Sequence, residues 1–464
     1  MADDAADRLA RSLFPYRDRF PTYRTIPPEG RPRDEILAML TEMATEEDHK
    51  GDAGRVSGSI YHGDHEHYGF LTEAFGAFAH ANVLQRDMYP SATKLEGEII
   101  AMTAAMLHGE AAEDVCGVLT SGGTESLINP MLVYRERARV EKGITSPEVV
   151  LPVTAHTAFH KACHYFGITP RLAPLADDYR VDVGAVAGLI TPNTVALVGS
   201  AGNYPHGLID PIDELSELAL EHDLGLHVDG CLGGFILPWG QRLGYDIPVF
   251  DFRLPGVTSI SADTHKFGYA LKGTSVLLYR TKHLRRYQYF TFPDWPGGLY
   301  VSPGLSGSRS GGLIAATWAA MVSLGEEGYL ATADAIFRTA AVLRDGIAST
   351  PGLRVIGDPT FLVAFTSDDL DIFHVNDHLV ERGWRMNGLQ LPKALHFCVT
   401  RPNTLPGVVD AFLDDLRDGV AHARAATGEP RSGALYGIGG TPEGNAVMHE
   451  LQAGYLDMVH EVAP

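Results

Sequence analysis

Ser259-Ile260-Ser261-Ala262-Asp263-Thr264-His265-Lys266 reads as the end of a β-strand that runs into small polar residues, with a lysine in the turn that follows. Working outward, Val257–Ser261, Leu224–Val228 and Thr194–Ser200 are short β-prone runs, as are Val115–Thr120, Val149–Thr154 and Thr274–Tyr279. Between two of them, Asp210-Pro211-Ile212-Asp213-Glu214 supplies an N-cap residue, a proline at the first helical position and acids in the first turn. Gly122-Gly123 follows Val115–Thr120 and leads into Glu125–Val140, where Leu127, Met131 and Tyr134 recur at helical spacing. Strand–helix alternation of this kind predicts an α/β fold, a mostly parallel sheet covered by helices.

A lysine after a strand is, taken alone, most often a surface residue. Its companions change that reading. Asp229 closes the apolar run Leu224–Val228, and a carboxylate at the end of a buried strand is costly unless a cation meets it. Ser121-Gly122-Gly123-Thr124 lies between a strand and a helix, where backbone N–H groups and the helix dipole favour an anion. His156 follows Val149–Thr154 and can lie flat against an aromatic ring. An anion loop, a stacking histidine, a buried carboxylate and then a lysine, in that order, suit pyridoxal 5′-phosphate. The carboxylate would keep the pyridine nitrogen protonated, so that the ring can take up electrons. Lys266 must lose its proton to attack an aldehyde, and a partly buried site of positive bias is expected to lower its pKa.

The rest of the chain sets bounds. Its 464 residues, 45% hydrophobic and 20% charged, exceed what one core usually supports. Residues 1–94 are expected to form an N-terminal segment contributing to a dimer and to the active site, around a short amphipathic stretch at Asp34–Met43. Residues 95–315 are expected to form a large cofactor-binding domain. A long helix-like stretch at 313–350 then leads into a smaller C-terminal α+β domain, residues 316–464. The net charge of −21 without a basic block argues against nucleic acid. Four cysteines without a CxxC pair, no apolar run near ~20 residues and an acidic start (MADDAADRLARSLF) without a leader core predict a soluble, cytoplasmic protein. His62, His65 and His67 invite a metal, but their loop lacks the spacing that converges imidazoles, and no metal is expected.

The chain contains VSGSIYHG (56–63), TSGGTESL (120–127), HTAFHKA (156–162), AGNYPHGLIDPI (201–212), HVDGCLGGF (227–235) and SADTHKFGYALKG (261–273). In these strings residues 55–464 resemble the sphingosine-1-phosphate lyase family, of the soluble bacterial type, within the fold-type-I pyridoxal-phosphate enzymes related to group II decarboxylases. RRYQYFTFPDWPGGLYVSPGLSGSRSGG (285–312), RGWRMNGLQ (382–390) and GYLDMVHE (454–461) extend the resemblance. It implies Lys266 as the Schiff-base lysine, Asp229 as the pyridinium partner and His156 as the stacking residue. Gly123, Thr124 and His265 would bind the cofactor phosphate, with Gly307 and Ser308 reaching it from the other subunit of an obligatory homodimer. Tyr204 would be the acid/base near the cleaved bond. Tyr61, Lys272 and the Asn82–Gln85 turn would meet the phosphate of the substrate. The implied reaction is carbon–carbon cleavage of a phosphorylated β-hydroxyamine, a sphingosine-1-phosphate-like long-chain base phosphate, to an aldehyde and phosphoethanolamine.

One departure stands out. The family's Asn-Pro-Leu-His-Pro-Asp string is here Asn82-Val83-Leu84-Gln85-Arg86-Asp87, so a neutral amide replaces an imidazole. Arg86 either compensates or marks a different substrate. An amino-acid decarboxylase would share the cofactor residues but needs a cation for a carboxylate, and Arg86 and Arg401 are the candidates. A third reading, a cofactor fold kept only for binding, conflicts with intact Lys266, Asp229 and His156.

Overall fold

The computed structural model describes residues 13–432 and 442–462. The opening MADDAADRLARS lies outside them. Seven strands build the main sheet: β1 (Cys116–Thr120), β2 (Glu148–Pro152), β3 (Thr169–Ala173), β4 (Thr194–Ser200), β5 (Gly225–Asp229), β6 (Ser259–Ala262) and β7 (Ser275–Tyr279). Their order is β1-β7-β6-β5-β4-β2-β3. Only β7 runs against its neighbours β1 and β6. β1, β2, β4, β5, β6 and β7 are buried along their whole length, which is why they read as unbroken apolar runs in place of alternating ones.

β3 was not expected. It carries Pro170 and is largely exposed at the sheet edge, the one place where a proline's missing N–H costs no ladder bond. Asp210 also differs from its sequence reading. The helix starts at Ile212 with Pro211 as its N-cap, and Asp210 is buried instead, accepting from Ser200 N at 2.8 Å and Val181 N at 3.1 Å. The backbone donors of Ser200 and Val181 outcompete the helix for that carboxylate. Burial still pushes its pKa up to about 6.

A hairpin follows, β8 (Phe290–Phe292) with β9 (Tyr300–Ser302). The helix Gly311–Ala348 comes next, interrupted at Gly325, whose φ of 58° suits a residue without Cβ. A 315/316 domain division falls within its first turns. Beyond it, β10 (Arg354–Val355), β11 (Leu362–Thr366), β12 (Asn387–Gln390) and β13 (Lys393–Cys398) form an antiparallel sheet of order β10-β11-β13-β12. One continuous core joins the two sheets, running through Leu226, Phe250, Phe361 and Phe397. Each such phenylalanine contributes about 1.5–3 kcal/mol of burial.

The N-terminal segment does two different things. Residues 54–60 are stitched to the smaller sheet, with Ser57 N donating to Arg385 O at 3.0 Å and Gly58 N to Cys398 O at 2.9 Å. The helix Arg33–Asp52, which contains the predicted amphipathic stretch, buries only Gly51 and leaves Ile36, Leu37 and Leu40 exposed.

Candidate active site

The carboxyl ends of β1, β4, β5 and β6 open on one side of the main sheet, where α/β folds place their ligands. In the sheet register Asp229 lies beside Ser200 on one side and Ser261 on the other. Its side chain is 8% exposed, and Oδ1 accepts from Cys231 N at 3.0 Å. Two strand-lengths of buried backbone therefore aim this carboxylate. His156 caps the helix Thr157–Phe166, its Nδ1 accepting from Ala158 N at 3.1 Å. That bond fixes both the ring plane and the tautomer, with the proton on Nε2 when the ring is neutral.

Lys266 ends the site from the β6 side. Its Nζ lies 2.8 Å from Asp263 Oδ2, and Asp263 is 1% exposed. Here the structure corrects the sequence expectation. Burial does work to lower the Lys266 pKa, but the Asp263 carboxylate outweighs it and holds the ammonium form well above the ordinary lysine range. Asp263 is itself held below the usual carboxylate range, because Lys266 and His265 overcome the cost of burial. The neutral, nucleophilic amine has to be reached against this pairing. Sequence reasoning passed over Asp263, although the argument applied to Asp229, an acid at the end of a buried strand, covers it equally.

The anion loop packs directly on this pair. Gly122 has φ 147° and Gly123 opens the helix Gly123–Lys142. A Cβ on Gly123 would sit 2.6 Å from Asp263 Oδ2, and one on Gly122 would sit 3.4 Å from His265 Cε1. His265 Nδ1 donates to Thr274 O at 2.6 Å, which turns the ring toward the loop. Gly123, Thr124 and His265 thus form a cradle at a helix start, beside Lys266. Those residues fit a pyridoxal phosphate: a dipole and N–H groups for its phosphate, Lys266 for its aldehyde, Asp229 for its ring nitrogen and His156 for its face. Glu125 secures the loop, accepting from Ser121 N at 2.7 Å and Leu305 N at 3.1 Å.

Tyr61 and Lys272 meet on the open side. Lys272 Nζ lies 4.7 Å from the centre of the Tyr61 ring and donates to Ser59 O at 3.1 Å and His265 O at 3.3 Å. Although Lys272 is exposed by area, its amine lies against protein atoms and near Lys266, and desolvation followed by that repulsion brings its pKa down to about 8. Burial raises the Tyr61 phenol pKa, and Lys266, Asp263 and Tyr204 all lie within its electrostatic reach. Tyr204 is 48% exposed on the loop after β4, its ring edge-on to His396.

Other expected residues gather elsewhere. Asn82 Nδ2 donates to Ser308 Oγ at 3.0 Å, and Asn82 Oδ1 accepts from Leu84 N at 3.1 Å. Ser308 lines a cavity of about 190 Å³ with Ser121 and Thr274 of its own chain, and Gly307 precedes it in the same loop. The Gln85 side chain is exposed. Arg86 is ion-paired with Glu96 and donates to Thr93 Oγ1 at 3.1 Å, and Arg309 shares that glutamate at 2.8 Å. Arg401 donates to His62 O at 3.0 Å and pairs with Asp64 at 3.3 Å. The His62 and His67 rings stack at 3.9 Å, while His65 Nε2 faces Asp52 at 2.9 Å.

Residues 59–367 match the model of the pyridoxal-dependent decarboxylase conserved domain. Sphingosine-1-phosphate lyase of Dictyostelium discoideum is 44% identical over 93% of this chain and 81% of its own length. Sphingosine-1-phosphate lyase 1 of Rattus norvegicus is 40% identical over 95% and 78%. The chain belongs to the sphingosine-1-phosphate lyase family. The solved structure of the Burkholderia pseudomallei family member superposes with a TM-score of 0.91 at 53% identity, covering 97% of this chain and 99% of that one. A glutamate decarboxylase of Lactobacillus brevis, at 20% identity, shares the fold with a TM-score of 0.75 over 90% of this chain and 99% of that one. As the family implies, the protein is a fold-type-I, pyridoxal-phosphate-dependent lyase. Among the described residues no helix is long and apolar enough to cross a membrane.

Proposed function

We propose that this lyase breaks the Cα–Cβ bond of a phosphorylated β-hydroxyamine of the sphingosine-1-phosphate type, releasing an aldehyde and phosphoethanolamine. The observation that carries this reading is a contrast among cations. Lys272 faces the open side beside Tyr61 with no carboxylate partner among the described residues, whereas Arg86 and Arg401, the cations a decarboxylase would need, are committed to Glu96 and Asp64. Bound pyridoxal phosphate supplies the sink for the electron pair left when the bond breaks. Lys266 carries the cofactor, Gly123, Thr124 and His265 hold its phosphate, Asp229 keeps its ring nitrogen protonated and His156 covers its face. Tyr204, as its phenolate, takes the proton of the β-hydroxyl and returns it to Cα, which completes phosphoethanolamine. Tyr61 and Lys272 grip the substrate phosphate, the lysine as a point charge.

The working unit in this reading is a cytoplasmic homodimer with shared sites, and the chain divides as the sequence suggests into an N-terminal segment, a large domain and a small one. Phe290, Phe292, Trp295, Leu299 and Leu305 are all more than 40% exposed on the segment leading into the Gly307–Ser308 loop, an apolar surface that a second copy would cover. Asn82 is bonded to Ser308, so whichever protomer's site that loop serves, the Asn82–Gln85 turn serves too. The four cysteines are buried and unpaired, in keeping with a reducing compartment.

The function is tested by supplying a phosphorylated β-hydroxyamine, its unphosphorylated form and free amino acids, with products identified by mass. Aldehyde from the phosphorylated amine is expected. Carbon dioxide from an amino acid would replace this reading with a decarboxylase. For the dimer, mixing Lys266→Ala with Ser308→Ala protomers should restore activity above either parent, through one intact composite site. No recovery after demonstrated subunit exchange would show that the sites do not span the interface.

A further inference from the structure

The loop that carries Tyr204 leaves the main sheet after β4 and is closed on itself. Gly207 N donates to Asn203 O at 2.9 Å, Asn203 N to Leu208 O at 2.8 Å and His206 N to Asn203 Oδ1 at 2.8 Å. Its base is pressed on the other sheet, since a Cβ on Gly207 would stand 2.5 Å from Leu362 O of β11. Its tip, Tyr204-Pro205, meets β13 of that sheet. His396 of β13 is 1% exposed and its Nδ1 lies 3.1 Å from Pro205 O. A carbonyl only accepts, so Nδ1 carries the proton and donates. The same imidazole meets the Tyr204 ring at 5.0 Å and 76°, an edge-to-face contact. One buried ring thus touches both residues of the tip.

His396 is itself rigidly placed. It lies between Ala364 and Asn387 in the sheet register, and its carbonyl accepts from Ser57 Oγ at 3.0 Å, four residues before Tyr61. Burial brings its pKa down to about 4, so the ring acts at neutral pH through its N–H and its face, without charge. Tyr204 is half-exposed on its loop, and misplacement of a proton-transfer group by an ångström is costly.

We propose that His396 is a positioning residue: it reaches from the smaller sheet to hold the Tyr204-Pro205 tip so that the Tyr204 hydroxyl meets the β-hydroxyl of the substrate. This rests on the reading of Tyr204 as the proton-transfer group. Substituting His396 lowers kcat while leaving KM and cofactor retention near those of the parent.

The experiment compares His396→Phe, His396→Asn and Tyr204→Phe in the holoenzyme, singly and combined. Tyr204→Phe should lower kcat by roughly 10²–10⁴-fold, the usual span for a lost acid/base. His396→Phe keeps a ring but loses the donor, and kcat should fall about fivefold to tenfold. His396→Asn puts an amide N–H near the Nδ1 position and should recover part of that loss. In the Tyr204→Phe background His396→Phe should cost nothing further, because the two act as a unit. Full activity in Tyr204→Phe would remove the premise and leave the role of His396 without an object. A crippled Tyr204→Phe, combined with a His396→Phe loss of equal size in both backgrounds or no loss at all, would make His396 purely structural and overturn the proposal. Should His396→Phe fail to fold, the Asn variant and His396→Gln, which differ by one methylene in donor reach, carry the same comparison.

Discussion

The two ends of the site are built on different plans. At the cofactor end, Asp229, Asp263 and Lys266 sit at or just past the ends of adjacent buried strands, and Gly123 packs on Asp263 with no room for a Cβ. At the end we propose for the substrate phosphate, Tyr61 and Lys272 come from separated segments, and Gln85 would join them from the turn that Asn82 ties to Ser308. Lys272 and Gln85 are exposed, and Lys272 is braced only by backbone carbonyls and a ring face. The first end is rigid because the sheet register dictates it. The second end has slack, and slack is where substrate preference can change without loss of the fold.

The sharpest way to break this contrast is to intrude on the cradle. Gly123→Ala drives a methyl to within 2.6 Å of Asp263 Oδ2, into the buried ion pair with Lys266. The carboxylate can move aside only by disturbing that pair. The variant is expected to purify without its cofactor's visible absorbance and without turnover, while its far-ultraviolet dichroism stays native. If it retains the absorbance and more than about a tenth of wild-type activity, a drop of less than about 1.4 kcal/mol, the cradle has the slack that we assign only to the other end.

A milder effect probes the phosphate end through pH. With its pKa brought down to about 8, Lys272 is an ammonium below that value and loses its charge above it. Since kcat/KM reports ionisations of the free enzyme, kcat/KM for the phosphorylated amine should fall as pH rises through about 8. The unphosphorylated amine should lack that limb. Lys272→Arg stays charged throughout and should move the fall to higher pH. An unchanged limb in Lys272→Arg would assign the ionisation to another group.

The same contrast explains what could be read from the sequence. β4 was anticipated to the residue and β1, β2, β5, β6 and β7 nearly so, because strands buried on both faces announce themselves as apolar runs. The edge strand β3, with Pro170 and little burial, carried no such signal. The glycine loop, His156, Asp229 and Lys266 could be proposed from the sequence because each closes or follows a buried strand, β1, β2, β5 and β6 in turn. Asp263 was visible in the same string yet passed over, and its ion pair reversed the expected pKa of Lys266. His396 was not legible at all, since its partners Tyr204 and Pro205 lie nearly two hundred residues away and on another sheet. The commitment of Arg86 to Glu96, ten residues on, was hidden for a different reason: Glu96 is buried on the helix Pro90–Met106, and its second cation, Arg309, comes from a distant loop.

The smallest expected effect is at Gln85. A neutral hydrogen bond is worth about 1 kcal/mol and a charge-assisted one roughly 1.5–3, so replacing the amide with an imidazolium gains roughly twofold to thirtyfold in binding. Arg86 does not make up the difference, because Glu96 and Thr93 hold its guanidinium. Gln85→His should therefore raise kcat/KM for the phosphorylated amine and leave the unphosphorylated amine unchanged. The sign of its pH dependence is also set: an exposed histidine is charged below roughly 6.5 and neutral above, so the gain should be largest at acid pH and shrink toward parity above neutrality. Exposure and salt screening act in the same direction, so the gain should also shrink as ionic strength rises. A gain that is flat in both pH and salt would mean that the new ring packs without bonding. No gain for the phosphorylated amine under any condition would place Gln85 outside the phosphate's reach and leave Tyr61 and Lys272 to hold it alone.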